Sequence, residues 1–446
     1  MTKRLKNNFK KILILGVSAI LMAVLMLGCT IILPSDSPSD SPTHTPPICG
    51  SFMPGATGNL MDGITARSVN ATTLSDKFIT STANFSIDLF RQSLQQDENT
   101  LISATSVLLA LAMTANGARG NTLSQIEQVL GGGLPMAQLN RYLHSFTNGL
   151  FSGEKSQLDI ANSIWFRDHG LFVEPEFLQI NADYFGANAY SAPFDQTTID
   201  DINAWVYYHT DGMIEEILEE IRPSTVMFLI NAIMFDAEWE RVYYESDIGV
   251  GIFTTFDGRE QTTTFMTSGG HHGAERYFIQ DDSATGFIKP YYGGHYSFVA
   301  LLPNEDVCLM DYVAGLTGEG FVNTIQNVQN LSVFARLPKF EFDFDLTMND
   351  ELITLGIEDA FCDSNANFSG IGHSPLGNLF IAEVSHNTFI SVNERGTRAG
   401  AVTRVDMDGE SAPMFDRYVI LNRPFVFAII DNSTSLPIFM GTLLEV

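Results

Sequence analysis

The chain has 446 residues, with 24 Lys and Arg against 52 Asp and Glu, a formal charge of −28. Hydrophobic residues make up 45% and charged residues 17%, a balance that excludes wholesale disorder. The acidity excludes a nucleic-acid binder, which needs a basic face to meet phosphate, and four cysteines in this length exclude a disulfide scaffold.

In chain order, the first feature is a basic start: Lys3, Arg4, Lys6, Lys10 and Lys11 precede a 17-residue uncharged run, Ile12 to Gly28, that ends at Cys29. This is the pattern of an export signal, and the run is at the short limit for a membrane-spanning helix. Met26-Leu27-Gly28-Cys29 resembles a bacterial lipoprotein box, from which Met26 and Leu27 depart. Cleavage before Cys29 would leave that thiol to carry lipid at a cell surface. The alternative is an uncleaved anchor or a plain secretion signal. The expected organisation is a lipoprotein-type signal peptide over 1–28, a flexible tether over 29–73 and one domain over 74–446. The tether is rich in Pro, Ser and Thr, includes the near-repeat Ser35-Asp-Ser-Pro-Ser-Asp-Ser-Pro and contains Cys49. Such a composition buries too little apolar surface to offset its ordering entropy.

Beyond Leu74 no second linker and no repeat is visible. Ser103 to Ala118 reads as a buried helix, with Val107, Leu108, Leu111 and Ala112 at helical spacing and Gly117-Ala118-Arg119-Gly120 as its stop. Thr198 to His209 reads as a second helix, with Ile202, Trp205 and Val206 inward and Gly212 past its end. Val226 to Phe235 is almost wholly apolar, as in a strand covered on both faces. Asp257-Gly258 marks a turn between two strand-like runs. Phe340, Phe342, Phe344 and Leu346 alternate with acidic residues, a strand with one wet face. Helices early and strands late predict an α+β fold rather than a βαβ repeat. Cys308 and Cys362 have no metal-ligand spacing around them, and His271-His272 lacks a spaced carboxylate or Cys, so no metal or cofactor is expected.

The most informative stretch is Glu394 to Ser411. From Thr397, small or apolar residues (Thr397, Ala399, Ala401, Thr403, Val405, Met407) alternate with Arg398, Gly400, Val402, Arg404, Asp406 and Asp408. The pattern is that of a strand of about twelve residues, twice the usual length. It follows the strand-like Thr388 to Asn393, and Gly396 between them permits a backbone swing. Two readings stand open on pattern alone: a long surface loop with accidental alternation, or a loop able to become a strand.

Asn393-Glu394-Arg395-Gly396-Thr397-Arg398-Ala399-Gly400-Ala401-Val402-Thr403 resembles the hinge of inhibitory serpins. Val402 is larger than the small residue usual there, on a side expected to face solvent after insertion. Further blocks are similar in order: Asn99 to Thr122 (with Ala104 at a usual Pro), Leu229 through Trp239, Leu337-Pro338-Lys339-Phe340, Asp359-Ala360-Phe361, Phe368-Ser369-Gly370-Ile371, Asn422-Arg423-Pro424-Phe425 and Phe439-Met440-Gly441. The resemblance implies a serpin fold of about nine helices and three β-sheets with an exposed reactive centre loop. It implies an irreversible suicide inhibitor of serine (or cysteine) endopeptidases, not an enzyme. The target protease cuts the loop, becomes acyl-linked and is trapped when the loop inserts into the main sheet. Glu394, Gly396, Thr397, Ala399, Gly400, Ala401 and Thr403 are then the hinge. Ser103, Ser106, Asn231 and His386 are the polar cluster where the sheet opens, and Trp239 marks where insertion begins. Counting from Glu394 places the cleaved bond at Glu410–Ser411, with Gly409, Asp408 or Met407 as alternatives before the bond. The implied partner is an endopeptidase in covalent complex with a monomer. The membrane is met only through a lipid anchor, and no nucleic acid is bound. The competing reading is a non-inhibitory serpin, a binding or structural protein with the same fold.

Overall fold

Seven strands of one sheet carry everything that follows: β1 (Gly58–Asn59), β2 (Ser156–Arg167), β3 (Asn188–Ala192), β4 (Met227–Glu238), β5 (Phe340–Thr347), β6 (Ser385–Val392) and β7 (Gly396–Thr397). They were established in a computed structural model that describes residues 58–446 apart from 224, 270–272, 376 and 398–413. Their order across the sheet is β1-β3-β2-β4-β7-β6-β5. Among the described residues there are also nine α-helices, a ten-stranded sheet and a two-stranded sheet, an α+β architecture.

Both expected helices form, and a further one precedes them, each with identifiable ends. Helix α1 (Asp76–Ser93) is capped by Ser75, whose hydroxyl accepts from the Phe78 amide at 3.2 Å; such a cap is worth about 1 kcal/mol. Helix α2 (Ala104–Ala115) starts at Ser103, whose hydroxyl accepts from the Ser106 amide at 3.2 Å. It is buried on nearly every side, which is why its sequence is apolar throughout. Helix α3 (Gln196–His209) begins at an Asp195 cap and lays Ile202, Trp205 and Val206 into a second core with Trp165 and Ala232, on one face of the main sheet. The other face is backed by the ten-stranded sheet, whose strands Phe425–Asp431 and Pro437–Leu443 are buried at every residue. Phe340 of β5 meets Phe427 there with ring centroids 5.3 Å apart. The acidic residues of β5 stand on the exposed side, as their alternation requires.

The tether boundary moves. Residues 58–73 lie on the folded unit instead of extending from it. Gly58 and Asn59 pair with Ser191 and Tyr190, and Leu60, Met61 and Ile64 pack on the core. Arg67 donates to Asp183 at 2.6 Å, and the Thr72 amide donates to Ser145 Oγ at 2.8 Å. The average composition of 29–73 hid these few anchors. Among the described residues, no helix is long and apolar enough to cross a membrane.

The stop of α2 depends on close approach. A Cβ on Gly117 would lie 2.1 Å from Ile371 Cγ1 and 2.7 Å from the Ile371 amide nitrogen. Overpacking of that kind costs about 1–3 kcal/mol. Gly117→Ala is expected to lower the urea unfolding midpoint by a corresponding amount; an unchanged midpoint would show that the Ile371 loop yields freely.

Candidate functional site: the interrupted main sheet

The main sheet is zipped on both flanks and unzipped in the middle. β4 pairs with β2 antiparallel from Met227↔Phe166 to Ala237↔Ser156. β6 pairs with β5 antiparallel from Phe340↔Val392 to Thr347↔Ser385. Among the described residues β4 and β6 are joined only through β7: Gly396↔Glu238 and Thr397↔Ala237 on one side, Val392↔Thr397 on the other. Beyond Thr397 a narrow cleft with a cavity volume of about 20 Å³ continues between the two strands. Ile233 and Phe235 of β4 and Phe389 and Ile390 of β6 line its walls, Ile429 and Phe439 of the second sheet lie behind it, and Thr210, Met213 and Ile214 lie across it.

At the closed end, Asn393 to Gly396 make a tight turn, the Asn393 amide donating to Gly396 O at 2.9 Å. The carbonyls of the turn are held one after another. Trp239 Nε1 donates to Asn393 O at 2.9 Å, the Tyr243 amide to Glu394 O at 2.8 Å, and the Trp239 amide to Arg395 O at 2.6 Å. The Trp239 ring is fully buried and stacks on Tyr291, centroids 4.6 Å apart, and Tyr291 Oη lies 2.6 Å from Thr397 Oγ1. Lys339 Nζ is 2.5 Å from Glu394 Oε2. Partial burial works against the Glu394 charge, but the Lys339 hydrogen bond and nearby cations outweigh it and hold its pKa below the usual value. Gly396 serves contact more than freedom: a Cβ there would lie 1.9 Å from Ala237 O.

The polar cluster divides into two halves, one on each side of the cleft. On the β4 side, Ser106 Oγ donates to Asn231 Oδ1, Asn231 Nδ2 to Asn162 Oδ1 at 2.6 Å, and Asn162 Nδ2 to Phe185 O at 3.0 Å. On the β6 side, the Ser103 amide donates to His386 Nε2 at 3.0 Å, and Thr388 Oγ1 donates to Leu101 O at 2.8 Å. The first turn of α2 therefore ties both strands from one helix end. Of the sequence-selected residues, Ser103, Ser106, Asn231, His386, Trp239, Glu394, Gly396 and Thr397 fall at this cleft. Ala399, Gly400, Ala401, Thr403, Glu410, Ser411, His271-His272, Cys29 and Cys49 lie outside the described residues. Sequence reading missed Asn162, Tyr243, Tyr291 and Thr388. Of these, Asn162 carried a signal, as an amide between the apolar pairs Ile160-Ala161 and Ile164-Trp165. Among the described residues no group of His, Cys, Asp and Glu is arranged to hold a metal.

Accepting from an amide requires a neutral imidazole at Nε2. Burial holds His386 down from 6.5 to a pKa of about 4. Between those values the unfolded chain takes up a proton that the folded chain refuses. The neutral ring's contribution is thus whole above pH 6.5 and is lost as pH falls to about 4, a swing of roughly 3 kcal/mol. Melting temperature is expected to fall over that window and to fall less in His386→Asn; an equally steep acid limb in the variant would assign the loss to another group.

Comparison with known proteins agrees with this geometry. Residues 80–446 match the family described as "Serpin (serine protease inhibitor)". An uncharacterized serpin-like protein of Thermococcus kodakarensis is 29% identical over 374 residues, covering 81% of this chain and 84% of its own. The crystal structure of tengpin, a thermophilic serpin, in the native state superposes with a TM-score of 0.84 at 48% identity, covering 88% of this chain and 100% of that one. Thyroxine-binding globulin in complex with thyroxine shares the fold at 23% identity and a TM-score of 0.72, over 83% of this chain and 99% of that one. The chain belongs to the serpin family.

Proposed function

We propose that this protein is an irreversible inhibitor of serine or cysteine endopeptidases. Its reactive loop is cut, holds the protease as an acyl-enzyme and inserts between β4 and β6. The observation that carries the reading is the register of β7. Extending it one residue at a time sets Ala399 between Phe235 and Ile390, Ala401 between Ile233 and Thr388, and Thr403 between Asn231 and His386. Directly opposed residues share a face of a sheet, and Phe235, Ile390, Ile233, Thr388 and His386 are all buried. The small and hydroxyl-bearing half of the alternation would thus join the side of the sheet that packs on the main core, and Thr403 would come level with the polar cluster. Below Ala237 the edge of β4 that faces the cleft runs from Asp236 to Met227, about 33 Å at 3.3 Å per residue. That length suits the twelve-residue alternation. Each added backbone hydrogen bond contributes about 1 kcal/mol net, and both flanking edges take part.

Carried further, the same register would set Val402 level with Ala232, which is buried in the second core beside Trp205, so that its side chain would meet packed residues. A modest apolar residue would suit that place. Arg398 would come level with Asp236 and Ser391, and Gly400 with Met234 and Phe389. The protease would be trapped by a chain that counts as consumed and completes no catalytic cycle. The cut is assigned to Glu410–Ser411 and export to the 1–28 signal, with Cys29 carrying lipid at the cell surface and the folded unit monomeric. The non-inhibitory reading keeps the fold without the insertion, and the two part on one measurement.

Incubation with a panel of endopeptidases is expected to yield a covalent band resistant to denaturation, and a released peptide whose mass starts at Ser411. Protein cut in the loop is expected to melt well above the intact chain. An unchanged melting temperature after the cut would favour the passive binding protein. Thr397→Arg or Ala399→Arg would bury an unpaired cation at a cost of several kcal/mol. Each is expected to turn the inhibitor into a substrate, cut at a normal rate with little trapping. Undiminished trapping by both variants would refute the insertion register.

A further inference from the structure

Behind the hinge turn, an ammonium group is buried among aromatic rings. Lys289 stands on the strand Ala284–Pro290, and its Nζ lies 2.8 Å from Glu275 Oε1, with side-chain exposures of 2% and 7%. The same Glu275 oxygen accepts from Ser268 Oγ at 2.6 Å, and Ser268 Oγ lies 3.1 Å from Tyr243 Oη. The ammonium is 4.3 Å from the ring centroid of Tyr243 and 5.4 Å from that of Trp239. Those are the two residues that hold the carbonyls of Asn393, Glu394 and Arg395.

A buried ion pair is a poor stability device, because apolar side chains of the same volume serve a core as well or better. What charge adds is direction. A cation between two ring faces fixes their tilt, and an acceptor shared with Ser268 fixes the Tyr243 hydroxyl. We propose that Lys289 and Glu275 are a positioning pair for the hinge. They orient Trp239 and Tyr243 so that the Asn393–Gly396 turn stays closed and Gly396–Thr397 stays seated as the first two residues of the incoming strand. The seating is read from geometry alone; its consequence for trapping rests on the insertion reading. With the start of the strand already in register, insertion after the cut needs no nucleation step. Without it, hydrolysis of the acyl-enzyme gains time.

The test uses the full-length chain with Lys289→Met and Glu275→Leu combined, so that neither charge is left orphaned. Amide hydrogen exchange is followed by mass spectrometry. Segments 239–243 and 388–397 are expected to exchange about tenfold faster than in the wild type while Phe425–Asp431 is unaffected. Lys289→Arg alone, which keeps the cation opposite Glu275, should retain slow exchange. Wild-type protection at 388–397 in the double variant, or equal acceleration everywhere, overturns the proposal. Glu275→Gln, which keeps volume and an acceptor, is measured alongside, and the same two outcomes decide should the double variant not fold. A second measurement counts inhibitor molecules consumed per protease trapped, expected to rise in the double variant with the rate of loop cleavage unchanged. A wild type that traps no protease removes the function proposed above, and the exchange result still decides the pair.

Discussion

A β-strand edge is a row of donors and acceptors that must find partners, and here two long central strands face each other across a cleft. β4 and β6 are paired along their outer edges, to β2 and β5, and among the described residues meet only through the two residues of β7. A sheet in that state has a more hydrogen-bonded arrangement within reach, and the missing element is one strand. The placement of polar groups around the cleft follows from this incompleteness.

Two devices hold the flanks as they are. At one end of the cleft, the first turn of α2 reaches both strands, through Ser106 to Asn231 and through the Ser103 amide to His386. Because the helix end is a single rigid object, separating the strands must break at least one of these bonds. At the other end, Trp239 and Tyr243 hold the carbonyls of the hinge turn, and the buried Lys289–Glu275 pair stands behind them. The first device resists separation of the strands, and the second holds Gly396–Thr397 paired between them. Between them the walls are Ile, Phe and Thr, surfaces that accept a small side chain and repel a charge.

Much of this was legible beforehand. The alternating β5 and the apolar β4 have short-range causes, side-chain periodicity against a half-covered or fully covered surface. Helix α2 was legible for the same reason, and its cap and stop, Ser103 and Gly117, sit within a residue or two of where local chemistry places them. The tether was read too long because composition averages over a window, while docking of residues 58–73 rests on single contacts such as Arg67 with Asp183. Period two says which residues share a side, not what covers that side, and on one side of β4 the cover is the second core around Trp205.

The chain by itself determined which segments become helix or strand and which face of each is apolar, because those depend on neighbours a few residues away. It also determined that a long alternating stretch near residue 400 was suited to a sheet. Only the tertiary structure decided that a cleft lies between β4 and β6, that Thr397 registers with Ala237 and Val392, and that Lys289 meets Glu275 beneath Trp239 and Tyr243. Strand registers and buried charge pairs join residues tens to hundreds of positions apart, and their energies depend on burial, which no local pattern encodes.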